Sequence, residues 1–151
     1  IGSTSVEDLA AKPVIDMDIV VASEADIGPA IESLGRIGYR WRGDLGVEGR
    51  EAFTAPEGLD LPRHHLYLVV EDNNAHIDHW LLRDILRTDP DARRRYGELK
   101  GRNVEVARGD MDVYVAAKAR FVADLLTRGR EERGLPAAEY WEPDLDPGNP
   151  G

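Results

Sequence analysis

The period of the hydrophobic pattern changes along this chain, and each change marks an element. Val14 to Val21 is an apolar run broken only by Asp16 and Asp18. It reads as a buried strand with both acids on one face, because strand side chains alternate with period two. Ile27, Ala30, Ile31, Leu34 and Ile37 recur at helical spacing, with Ser23 ahead as a cap and Gly38 behind as a stop, which predicts a helix over 27–37. Tyr39–Arg42, Glu51–Thr54 and His64–Glu71 read as further strands, separated by loops over 43–49 and 55–63. The pattern then turns helical: Ala75–Arg87, Pro90 to Val106, and Met111–Arg130. Asp89 is the cap of the middle helix and Pro90 its first turn. Trp80, Leu81, Ile85, Leu86, Tyr114, Phe121, Val122 and Leu125 fall at core positions of these helices. A short helix over Val6–Ala11, capped by Ser3 or Thr4 and stopped by Pro13, is expected before the first strand.

This order predicts an α/β (α+β) fold: a small mixed sheet with flanking helices and a helical C-terminal half. At 151 residues one domain is expected over 1–130, with 74–130 its helical part. Residues 131–151 hold four prolines, three glycines and several acids, and read as an extended tail with an aromatic spot at Tyr140–Trp141. The absence of cysteine excludes disulfides and thiolate metal sites and agrees with a cytoplasmic address. No apolar run reaches the ~18 residues of a membrane span, and no signal peptide is visible. A net charge of −10 argues against gripping nucleic-acid phosphates. A small-molecule substrate is the expected partner, with no nucleic acid and no membrane.

Asp16 and Asp18 carry the candidate chemistry. Two carboxylates side by side on an apolar strand repel each other, and Mg²⁺ would relieve that repulsion. The Gly2–Ser3 turn upstream offers backbone N–H groups and a hydroxyl for a phosphate. Gly2-Ser3, a twelve-residue gap and Asp16-Met17-Asp18-Ile19 resemble the signature of the nucleotidyltransferase superfamily. Ile1 to Val6 with Leu9 to Asp16 resembles the GrpB-like family within it. Later blocks agree in order: Leu34 to Arg42, Gly49-Arg50, Arg63 to Leu66, Arg83 to Arg87, Tyr96 to Lys100, and Ala117-Lys118 with Phe121. The similarity covers about residues 1–128. It implies a nucleotidyltransferase fold with an appended helical bundle, and a further helix and strand ahead of Ile1 in relatives.

The resemblance further implies a metal- and nucleotide-dependent nucleotidyltransferase acting on a small-molecule acceptor. Asp16 and Asp18 would hold Mg²⁺ (or Mn²⁺), and ATP or another NTP would be the donor. Gly2 and Ser3 would hold phosphates, and Lys12, Arg50, Arg63 and Lys118 are the candidate cations for a triphosphate. The superfamily places a third carboxylate on a neighbouring strand. Here that strand carries no acid until Glu71, and His65 stands in its place as a base or third ligand. Two other readings stay open: an adenylating, amide-forming enzyme, and a non-catalytic binding or assembly module like the domain fused to dephospho-CoA kinases. All four histidines lie between 64 and 79, so a zinc site on His76, Asp78 and His79 is a further alternative, against plain surface histidines. Arg83–Asp84 reads as a structural pair tying the helical half to the sheet.

Overall fold

The computed structural model describes residues 1–58, 60–106 and 111–140. The chain divides into two compact units, 1–84 and 85–151, the division falling inside one helix.

The first unit is built on a four-stranded mixed sheet in the order β1-β4-β3-β2. Its strands are β1 (Ile15–Val21), β2 (Arg40–Trp41), β3 (Arg50–Thr54) and β4 (His64–Val70). β1 and β4 run parallel, from Ile15 opposite His64 to Val21 opposite Val70. The other two pairings are antiparallel. A 3-10 turn (Glu24–Asp26) leads into helix α1 (Ile27–Arg36), and Ser23 Oγ donates to Asp26 at 2.7 Å. The apolar stripe of α1 packs on one sheet face, where Leu34, Phe53, Leu66 and Leu68 form a buried cluster joined by Met17, Ile19, Val21, Ile27 and Ile31. Period-two alternation therefore sends Asp16, Asp18, His65 and Tyr67 to the opposite face. Helix α2 (Asn74–Thr88) opens after Asn73, whose Oδ1 accepts from His76 N at 2.9 Å.

The second unit holds the last turn of α2, α3 (Pro90–Val106) and α4 (Met111–Glu132). Asp89 caps α3 as the sequence predicts, its Oδ1 accepting from Asp91 N and Ala92 N. Leu86, Ala92, Tyr96, Ala116, Leu125 and Leu126 are buried, and Tyr96 stacks on Phe121. Residues 133–140 fold back on α4. Arg130, 1% exposed, donates to Tyr140 Oη at 2.9 Å and to Pro136 O at 2.7 Å. The expected core place of Tyr114 and the tail from Trp141 onward lie outside the described residues. No described helix is long and apolar enough to cross a membrane.

The expected helix over Val6–Ala11 does not form. The chain makes a 3-10 turn at Ser3–Ser5 and then an irregular segment. Val6 and Leu9 are buried, which accounts for their helix-like spacing. Asp8, however, takes a left-handed φ of 61°, which a right-handed helix does not admit. Arg83 Nε donates to Asp84 Oδ1 at 2.7 Å, an ion pair between adjacent residues of α2.

Candidate functional site

Parallel pairing of β1 with β4 sets Asp16 opposite His65 and Asp18 opposite Tyr67. The contact joins residues 49 positions apart: His65 Nδ1 lies 2.8 Å from Asp16 Oδ1. The first turns of α2 bring two more imidazoles to Asp18. His79 Nδ1 is 2.8 Å from its Oδ2 and 3.0 Å from its Oδ1. His76 Nδ1 is 3.6 Å from Oδ2, within ion-pair reach but beyond a hydrogen bond, and that buried nitrogen has no hydrogen-bond partner. Asp18 is nearly sealed at 4% exposure, whereas Asp16 is 27% exposed and His65 59%.

These contacts fix tautomers. An ionised carboxylate only accepts, so Nδ1 of His65 and of His79 carries the proton and donates. In the neutral ring the lone pair is then on Nε2, turned away from the carboxylate. Each aspartate thus orients an imidazole, the arrangement that readies a histidine as a base or ligand.

Gly2 is required where it stands. Its φ is 73°, and a Cβ there would collide with the Asp16 carboxylate. The turn that follows is held by Ser5, whose Oγ donates to Gly2 O at 2.6 Å. The Gly-Ser turn and Asp16 therefore meet.

Tyr67 lies beside both dyads, its ring centroid 5.7 Å from His79 and 6.4 Å from His65. The Arg50 guanidinium stacks over Tyr67, 4.5 Å from the ring centre. Burial pushes the Tyr67 phenol up from the usual tyrosine range, Arg50 opposes the shift, and Asp16 and Asp18 add to it. The phenol therefore stays protonated and able to donate.

The remaining candidates are spread out. Lys12 and Arg63 are exposed ahead of β1 and β4, and Arg63 O accepts from Ile15 N at 2.9 Å. Glu71 sits at the other end of the strands, its N donating to Val21 O. Lys118 is exposed on α4 in the second unit. His76 and His79 share a helix face as their spacing predicts, but both turn Nδ1 to Asp18 and not to a common metal position. Among the described residues no three His, Asp or Glu side chains form a metal-holding group. The donor chemistry of Asp16 and Asp18 still fits Mg²⁺, which is commonly held by one or two carboxylates plus substrate phosphates. Asp16, 27% exposed and bonded to one imidazole through Oδ1, keeps oxygen lone pairs open for that use, whereas Asp18, 4% exposed, has His79 on both oxygens and His76 at 3.6 Å. The pairing of Tyr67 with Arg50 has no local signal in the sequence, because it arises from the antiparallel register of β3 on β4, which sets Arg50 opposite Val69 and Ala52 opposite Tyr67.

A mixed sheet with an Asp-x-Asp strand, a Gly-Ser turn against the first acid and helices alongside is a small nucleotidyltransferase-like α+β fold. The crystal structure of conserved protein GrpB from Enterococcus faecalis is similar, with a TM-score of 0.69 and 28% identity over 88% of this chain and 79% of that one. The GrpB protein family profile matches residues 1–128, and the chain belongs to that family. UPF0157 protein YqkA of Bacillus subtilis is 33% identical over 81% of the chain, which spans 35% of that relative's length. Glutamate-rich protein GrpB of Alkalihalophilus pseudofirmus is 31% identical over 83% of this chain and 74% of its own.

Proposed function

We propose that the polar sheet face is a metal- and nucleotide-dependent nucleotidyltransferase site that serves a small-molecule acceptor in the cytoplasm. One observation carries the reading: Gly2, Asp16, Asp18 and His65, distant in sequence, meet on one face with the Asp16 carboxylate against the Gly2 turn and bonded to His65. Asp16 and Asp18 would hold Mg²⁺ or Mn²⁺, which neutralises charge on the phosphates of ATP or another NTP. The Gly2–Ser3 turn presents backbone N–H groups to a phosphate.

In the reaction, an acceptor hydroxyl or amine attacks the α-phosphorus of the nucleotide. The bond from that phosphorus to the β-phosphate oxygen breaks, and pyrophosphate leaves. His65 takes the acceptor's proton on Nε2, while Asp16 holds the ring in the tautomer that makes this possible and steadies the imidazolium that forms. The 59% exposure of His65 leaves it open to an acceptor. Asp18, sealed by His79, is the fixed member of the pair.

A second reading has its own observation. His65 stands where a third carboxylate is expected, and each acid already has an imidazole. That favours a module that binds nucleotide without turnover. Incubation with each NTP, Mg²⁺ or Mn²⁺ and a pool of small hydroxyl and amine acceptors, read by pyrophosphate release, separates the two. Release that is lost in His65→Ala supports the transferase. Nucleotide binding with no release from any acceptor supports the module.

A further inference from the structure

Arg50 sits at the start of β3 on the polar face, and no residue of the described chain takes its donors. Its guanidinium has no hydrogen-bond or ion-pair partner among the described residues, and its Nε is buried. Arg40, on the edge strand of the same sheet, has Glu57 at 3.6 Å. An arginine presents five N–H donors in a planar fork, and leaving its buried Nε–H unmet is costly. The ring of Tyr67 lies under the Arg50 guanidinium at 4.5 Å, and the backbone before Arg50 is clamped by Asn73 Nδ2 donating to Gly49 O at 2.6 Å. Gly49 has a φ of 77°, and a Cβ there would crowd the Asn73 amide, so the clamp depends on glycine. Tyr67, in turn, keeps its phenol protonated, because burial raises its pKa. The Arg50 guanidinium over the Tyr67 ring and the phenolic donor of that ring together offer N–H and O–H groups to one oxyanion.

We propose that Arg50 and Tyr67 form an oxyanion-binding subsite that takes either a phosphoryl group of the nucleotide or a carboxylate of the acceptor. The subsite deepens the transferase reading, resting on it only for which molecule brings the anion. Asp16 and Asp18 repel an approaching anion, and Arg50 supplies the opposite charge on the same face. Arg50 would then hold the charged end of the substrate while the reacting group lies nearer the aspartates.

The test is calorimetric titration of the 151-residue chain with metal chelated, using tripolyphosphate in one arm and succinate in the other. The wild type should bind one of them, and which one names the source of the anion. Arg50→Ala should weaken that binding by about tenfold or more, Tyr67→Phe by about threefold, and Arg50→Lys should fall between wild type and Arg50→Ala because it keeps charge but loses the fork. Asp16→Asn should leave binding unchanged or tighten it. Circular dichroism checks folding. If Arg50→Ala unfolds, Arg50→Lys decides alone. Wild-type affinity in Arg50→Lys and Arg50→Ala, or no binding of either anion by the wild type, overturns the subsite. Metal-dependent nucleotide binding that ignores Asp16 would instead sink the transferase reading and leave this one standing.

Discussion

Along β1 and β4, Met17, Ile19, Leu66 and Leu68 turn to α1, while Asp16, Asp18, His65 and Tyr67, interleaved with them, turn to the other face. On the first face Leu34, Phe53, Leu66 and Leu68 form a buried apolar cluster, and Leu68 is 0% exposed. On the second, two acids, three imidazoles, a phenol and a guanidinium gather in partial burial. Burying apolar area stabilises the fold, whereas gathering half-buried charges costs stability unless each finds a partner. The register that serves one face serves the other, since a slip of one residue would exchange them. The apolar face holds the strands in register, and the polar face spends part of that stability on arranged chemistry.

Four changes sharpen or break this contrast. The largest effect is expected at Leu68→Ala, which should destabilise by about 2–5 kcal/mol in urea unfolding. Next, His79→Ala removes the donor from Asp18, which is 4% exposed, and should cost about 1–3 kcal/mol. The cost should shrink in an Asp18→Asn background, a coupling that a double-mutant cycle reads directly. If the two changes add independently, the dyad is not a unit. Gly2→Ala should cost about 1–2 kcal/mol through its φ and should disturb nucleotide binding more than stability, because the new Cβ meets the Asp16 carboxylate. The smallest effect concerns Tyr67. Its folded pKa is raised, so the neutral phenol is favoured in the native state. The stability this gives is present below the pKa of an unfolded tyrosine and fades as pH rises through the folded value. Ultraviolet titration should show one tyrosine ionising late, and Tyr67→Phe should remove that phase.

Much of this contrast is legible in the sequence. The broken apolar run at 14–21 marks a strand with two acids on one face, and Gly2–Ser3 marks a turn upstream of it. Pro90 and Asp89 marked the start of α3, and the prediction of its span holds. Local rules serve such features because the residues that cause them are neighbours. They failed at Val6–Ala11, where Val6 and Leu9 owe their spacing to burial and Asp8 leaves the helical region. They did not reach the pairing of Tyr67 with Arg50 or the full company of Asp18. Those contacts depend on strand register and on where α2 begins, and Asn73 sets that start through Gly49 far upstream.

The proposed metal-bound nucleotide would sit on the polar face, where Asp16 and Asp18 crowd two like charges at a cost to stability. Calorimetric titration with ATP, GTP, CTP and UTP, each with and without Mg²⁺ or Mn²⁺, tests this placement most directly when wild type and Asp16→Asn/Asp18→Asn are compared beside their urea midpoints. The account predicts metal-dependent binding of a nucleotide that disappears in the double variant while the midpoint holds or rises. Equal nucleotide binding in both proteins, or a double variant that unfolds, would contradict it.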